Sequence, residues 1–262
     1  MLRRYGLTVV LLVLSLALAG CRGGRGNLEP VIDPELVNLS KEEAFQRGEE
    51  LYDSEKYQRS RKFYTHVYEN YPNDPLGRRS LLRVADTYFG QGGVLNLVEA
   101  QYKYRDFINR YPGSEFADYA MLQIAMVSYK QMERPDRDQT KTKEAVEKFR
   151  EMLTAFPNSD HRPEAEERLQ EALDRLAKHE HIVARFYMHR GNFEAAISRL
   201  NGIVETYPRY ADRDETFYDL GDALQSLGRT GEARLYYERV VAEFPDSDLA
   251  GRAKEKLQDL QA

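Results

Sequence analysis

An aromatic residue followed by proline recurs five times along this chain, at Tyr71-Pro72, Tyr111-Pro112, Phe156-Pro157, Tyr207-Pro208 and Phe244-Pro245. Proline has no backbone N–H and biases the residue before it away from helical geometry, so each pair marks a helix end. Five ends at similar spacing are the mark of a repeat, and a repeat confines the chain to stacked copies of one unit. From Ser40 onward apolar residues fall three and four apart, as in Ala44, Phe45, Gly48, Leu51 and Tyr52, and no credible strand is present.

The register fits a 34-residue helix-turn-helix repeat whose proline stands at position 32. In the last copy Phe217, Leu220, Gly221, Leu224, Ala233, Tyr237, Val240 and Pro245 fall on positions 4, 7, 8, 11, 20, 24, 27 and 32 without a gap. The first copy fits likewise, with Ser60 where alanine is usual at position 20, and the fourth fits through Ala184, Tyr187, Ala196, Leu200, Ile203 and Pro208. Positions 8 and 20 are expected to face each other, which demands small side chains. The second and third copies need insertions, at Gln91-Gly92-Gly93 and at Glu133 to Thr140. Pro163 to Leu176 adds a helical stretch with no breaker before Gly191, so one long helix is expected there. Residues 247–260 read as a closing helix. The pattern is similar to tetratricopeptide proteins: an all-α superhelix of five helix-turn-helix repeats with a C-terminal capping helix.

Ahead of the repeats, a basic Met1 to Arg4 precedes an apolar run, Leu7 to Ala19, too short for the roughly 20 residues a bilayer span needs. The run ends Leu18-Ala19-Gly20-Cys21, which resembles a bacterial lipobox, and Cys21 is the only cysteine of the chain. That resemblance implies a lipid on the Cys21 thiol and cleavage before it; an ordinary signal with a chance cysteine is the plainer alternative. Arg22 follows where inner-membrane lipoproteins carry aspartate, which points to the outer membrane. We therefore divide the chain into a signal peptide at 1–20, a lipidated linker at 21–39, a part at 40–131 with repeats one, two and the first helix of three, and a part at 132–262 with the remainder of repeat three, repeats four and five and the closing helix. A lone cysteine excludes an intrachain disulfide. The formal charge of −5 grows more negative once Arg3 and Arg4 leave with the signal, which speaks against nucleic acid as a partner.

The first helix of each tetratricopeptide repeat lines the concave groove through positions 2, 5, 9, 12 and 13. In repeats one to three these hold Phe45, Tyr52, Leu82, Phe89, Tyr119, Leu122, Met126 and Tyr129, an apolar groove suited to an extended peptide, with Arg79 or Lys130 for its terminal carboxylate. The plainer alternative is that some of these aromatics pack under Leu28 to Leu39. In repeat four Lys178, His181, Arg185 and His189 fall on groove positions and form a basic sector, or else a solvated face. His179, His181 and His189 do not share a helix face in a way that would hold a metal, so no metal site is expected. No phosphate-binding glycine loop or nucleophile elbow is present, and neither an enzyme nor a cofactor beyond the lipid on Cys21 is expected.

The segment Leu176-Ala177-Lys178-His179-Glu180-His181-Ile182-Val183-Ala184-Arg185-Phe186-Tyr187, followed by Arg190-Gly191, Ala195-Ala196-Ile197 and Arg199, resembles the BamD family of outer-membrane assembly lipoproteins. With Ala145 to Phe149, Phe156 to Ser159, the lipobox and the five repeats, the resemblance covers nearly the whole mature chain. It implies a non-catalytic periplasmic scaffold that helps insert β-barrel proteins into the outer membrane. Its later repeats would dock on the periplasmic domains of the barrel-forming assembly protein, with Arg190 and Arg199 as candidate contacts. Its early repeats would receive the C-terminal strand of unfolded clients. The competing reading is a tetratricopeptide lipoprotein serving cell-wall synthesis or polysaccharide export.

Overall fold

The computed structural model describes residues 34–36 and 38–260. The signal segment, Cys21 and most of the linker lie outside the described residues. A 3₁₀ turn covers Pro34–Leu36, and the compact unit that begins at Ser40 carries eleven α-helices and, among the described residues, no strand. They are α1 (Lys41–Asp53), α2 (Tyr57–Asn70), α3 (Pro75–Gln91), α4 (Val94–Arg110), α5 (Ala117–Lys130), α6 (Thr140–Ala155), α7 (Arg162–His189), α8 (Phe193–Thr206), α9 (Arg213–Ser226), α10 (Thr230–Glu243) and α11 (Asp248–Asp259). Five antiparallel pairs and a closing helix follow, each helix packed on the ones before and after it. The first helices of successive repeats also touch, α1 with α3 and α7 with α9, which makes them one inner layer. The boundary at 131/132 falls in the loop inside repeat three, and residues 40–262 form one compact unit.

Each aromatic of the aromatic-proline pairs is the C-cap of its helix. Tyr71, Tyr111, Phe156, Tyr207 and Phe244 all leave helical geometry, with φ near −130°, while still donating their N–H to the carbonyl four residues back. Side chains cap the starts of α1, α3, α8 and α11. Ser40 and Glu43 form a reciprocal capping box on α1, Asp74 accepts from Leu76 N–H at 2.9 Å with Pro75 at the first turn of α3, and Ser247 caps α11.

The core follows the repeat register. Ala44, Leu51, Tyr64 and Val67 are buried in the first repeat and Phe217, Leu220, Leu224, Ala233, Tyr237 and Val240 in the last. A fully buried Phe217 is worth about 2–3 kcal/mol relative to leaving it in water. The long helix is present: α7 runs 28 residues, with Ala165 and Ala172 in the cores of its first half and Ala177 and Ala184 in the core of repeats four and five. Position 20 does sit on position 8, because the Ser60 hydroxyl donates to the Gly48 carbonyl at 2.8 Å, which satisfies a buried polar group where alanine is usual. What fills the space beside position 8, however, is the ring at position 24. A Cβ on Gly221 would stand 2.5 Å from the Tyr237 ring, and one on Gly48 2.6 Å from Tyr64.

The Tyr237 hydroxyl is tied to Asp222 at 2.6 Å and Gln225 at 3.0 Å, so its ring cannot swing aside freely. We therefore expect Gly221→Val to lower unfolding stability by about 2–3 kcal/mol through overpacking. Urea denaturation followed by circular dichroism checks this, with unchanged stability refuting the close approach.

Candidate functional site: the concave face

The inner layer is built from α1, α3, α5, α7 and α9, and its polarity is set by what the second helices push through it. The Tyr64 hydroxyl emerges beside Glu49 at 2.6 Å, Tyr104 beside Asp86 at 2.6 Å, and Tyr237 beside Asp222 at 2.6 Å. Glu49, Asp86 and Asp222 each directly follow the small residue at position 8. A buried phenol needs an acceptor, and this carboxylate supplies it.

Around Asp86 the bonds form a network. Tyr119 donates to it at 2.9 Å and Arg83 at 3.1 Å, while Arg83 also forks onto Glu49 at 2.7 and 3.0 Å and lies 4.0 Å over the Tyr52 ring. Burial pushes the Asp86 carboxyl above its ordinary range, against the hydrogen bonds of Tyr104, Arg83 and Tyr119 that favour its charge. A cavity of about 440 Å³ opens here between α1, α3, α5 and the start of α7. Glu49, Asp86, Glu115, Asp118 and Asp160 line it, against Arg79, Arg83 and His161.

This corrects the expectation of a wholly apolar groove. Leu122 is fully buried in the repeat packing, and Phe45 and Leu82 are buried nearly so, Leu82 keeping only an edge on the acid-lined cavity. Tyr119 is partly buried and spends its hydroxyl on Asp86. Tyr52, Phe89, Met126 and Tyr129 stay partly open, and cations cover some of them: Lys130 Nζ stands 3.8 Å over Phe89, and Arg168 lies 5.7 Å from Tyr129, whose hydroxyl bonds Glu171. Arg79 is exposed, 5.1 Å over Phe45, at the edge of the acid-lined cavity. Lys130 is the better placed of the two for a carboxylate.

The basic sector of repeat four is likewise corrected, since acids of repeat five neutralise it. Lys178 pairs with Asp212 at 2.7 Å, Arg185 with Asp219 at 2.7 Å and Glu215 at 3.2 Å, and His181 is buried with Nε2 2.8 Å from Asp219. Burial would raise the Asp219 carboxyl, yet the hydrogen bonds from His181 and Arg185 hold it below its ordinary range. His189, the fourth of these residues, is exposed and in no ion pair among the described residues. His179 donates Nδ1–H to the Pro135 carbonyl at 2.7 Å, so it faces the α5–α6 loop while His181 faces α9. Arg199 of α8 reaches Glu180 of α7 at 2.8 Å, and Arg190 lies 5.4 Å from the exposed Phe186 ring.

Glu49, Arg83, Asp86 and Asp219 are the inner-face residues that apolar patterning passes over. The signal that finds two of them is the register itself, because Glu49 and Asp86 both stand at groove position 9. Chemically, the face offers aromatic contacts at Tyr52, Phe89 and Tyr129, a thioether at Met126 and donors already bonded to acids. Such groups can lie against an extended peptide.

The chain has relatives among known proteins. The chain is 25% identical over 232 residues to the outer membrane protein assembly factor BamD of Caulobacter vibrioides, covering 88% of this chain and 73% of that one. It is 25% identical over 242 residues to the protein of the same name from Rickettsia prowazekii, with 90% of each covered. For that of Neisseria meningitidis the identity is 26% over 245 residues, covering 89% and 90%. Among solved structures, the TPR2AB domain of yeast Sti1 in its pHSP90 complex aligns with a TM-score of 0.46 at 14% identity, over 84% of this chain and 83% of that one. The YfiO family, described as outer membrane lipoprotein, matches residues 38–238, and this chain belongs to it.

Proposed function

We propose that this protein is a non-catalytic scaffold for the assembly of β-barrel proteins into the outer membrane, anchored there by a lipid on Cys21 and facing the periplasm. The observation that carries the reading is the alignment with outer membrane protein assembly factors over about nine-tenths of the chain. Their shared name favours it over a scaffold for cell-wall synthesis or polysaccharide export. The early repeats take the C-terminal strand of an unfolded client, and the later repeats dock on the periplasmic domains of the barrel-forming assembly protein.

The corrected groove narrows how a client is held. Barrel strands alternate apolar and polar side chains, so one edge of an extended client can lie on Tyr52, Phe89, Met126 and Tyr129 while the other meets the polar network of Arg83 and Asp86. The terminal carboxylate belongs near Lys130, away from the five acids of the cavity. Arg199 and Arg190 mark the docking side.

Three outcomes test these parts. Mass spectrometry of the mature protein is expected to give an N-terminal Cys21 carrying acyl chains, and an unmodified Cys21 or another N-terminus would sink the anchor. A client peptide ending in phenylalanine should crosslink to a photoreactive residue at position 89. Tyr52→Ala with Tyr129→Ala, checked for retained helicity, should cost about 2 kcal/mol of binding, or roughly thirty-fold; undiminished crosslinking would move recognition elsewhere. Arg199→Glu should reduce co-purification of the barrel-forming protein. Because Arg199 also bonds Glu180, the exchange Arg199→Glu with Glu180→Arg restores that pair, and recovery of docking in the exchanged protein would remove Arg199 from the interface.

A further inference from the structure

The outer face of α4 carries a surface that neither the repeat packing nor the groove uses. Val94 is 68% exposed, Leu95 83%, Val98 54% and Tyr102 63%, four of the nine large exposed hydrophobic residues among the described residues. At 3.6 residues per turn they fall within an arc of about 100°. Leu97, Ala100, Tyr104 and Phe107, on the opposite side, fill the core. The other exposed apolar residues are scattered, apart from Ile182 with Phe186 on α7.

Polar groups frame this stripe. Arg105 continues the same arc three residues beyond Tyr102, exposed and in no ion pair among the described residues. Lys103 Nζ stands 5.7 Å from the Tyr102 ring, and Glu99 lies at the stripe's edge, where it acts electrostatically on Arg61 of α2. The stripe starts directly after Gly92-Gly93, both with positive φ, so Val94 and Leu95 stand at the tip of the α3–α4 hairpin rather than in the middle of a wall.

We propose that the outer face of α4 rests on the membrane surface, with Val94, Leu95 and Val98 in the acyl boundary, Tyr102 at headgroup level and Arg105 on lipid phosphate. Small apolar insertions flanked by tyrosine and arginine suit an interface and are too short to span it. A lipid surface is the favoured occupant because this chain belongs to an outer membrane lipoprotein family. Only nineteen residues, Arg22 to Ser40, separate Cys21 from α1. A segment of that length reaches at most about 65 Å, which keeps the repeats at high local concentration beside the bilayer. Weak contact then suffices to orient the body. Since the stripe lies opposite the core-facing side of α4, seating it on lipid leaves the inner layer open to clients. This inference rests on the lipid anchor proposed above.

The test uses two features of the sequence: there is no tryptophan, and Cys21 is the only thiol. The chain from Cys21 onward is coupled through that thiol to a maleimide lipid in vesicles of phosphatidylethanolamine and phosphatidylglycerol with brominated acyl chains. In Leu95→Trp, the tryptophan emission should shift to the blue and lose about half its intensity, as for a ring seated about 5–10 Å into the interface. In Leu235→Trp, on α10, it should stay water-like. Adding Val98→Asp to Leu95→Trp should return the emission to the Leu235→Trp level, with circular dichroism unchanged. Water-like, unquenched emission from Leu95→Trp in the tethered chain overturns the proposal. So does shielding that arises only on adding the barrel-forming partner, which would assign the stripe to a protein. Chemical tethering makes the outcome independent of native acylation, so failure of the anchor shows separately, in the mass of the native N-terminus.

Discussion

The ring of Tyr237 occupies the space a side chain at Gly221 would need, and its hydroxyl comes out beside Asp222. Tyr64 does the same against Gly48 and Glu49, and Tyr104 reaches Asp86, which follows Ala85. In the two remaining repeats the ring position holds Phe149 or Leu200, neither with a hydroxyl, and the residue after the small one is Met126 or Arg185 rather than an acid. A phenol taken out of water must keep a hydrogen bond, and in this geometry the only way out is through the inner face. Core packing therefore decides where the concave surface is acidic. Repeat three, with Phe149 and Met126, is where it can be apolar.

Acids of one repeat also pair with cations of the neighbouring repeat. Arg83 binds Glu49 34 residues away, Lys178 binds Asp212 and Arg185 binds Asp219 at the same separation, and Lys41 binds Asp74 at 33. Stacked repeats bring equivalent positions side by side, so one repeat length acts here as i,i+4 acts within a helix. The partly buried Arg83 fork is stiffened by two acceptors and two rings, whereas exposed pairs such as Arg234 with Glu238 add little to stability.

This period explains what could be read from the residues and what could not. Helix ends, the unbroken α7, the five pairs and the closing helix follow from local rules: proline chemistry, apolar spacing and the absence of a breaker between Pro163 and Gly191. The inner face was legible in position but not in character. Register placed Phe45, Leu82 and Leu122 on groove positions, yet burial of a groove side chain depends on the size of its neighbours on the next helix. Register likewise placed Lys178, His181 and Arg185 together, and only a look one repeat downstream, to Asp212 and Asp219, reveals that they are neutralised. A residue's charge in isolation was a poor guide to the surface it makes.

The long α7 has a mechanical consequence for the two roles proposed above. Its first half shares cores with Phe149, Met152 and Val146 of repeat three, and its second half shares one with Leu200, Phe217 and Leu220 of repeats four and five. Bending it between Ala172 and Ala177 would break backbone hydrogen bonds in a helix without proline or glycine at that place, and would open both cores. Two helices joined by a loop at that point could hinge, whereas one continuous rod cannot do so cheaply. Repeats three and four are therefore held as one frame, and a client on Tyr129 and a partner at Arg199 would meet a fixed spacing. Such a scaffold works by geometry already present before either binds, which limits the ordering cost of weak, reversible capture.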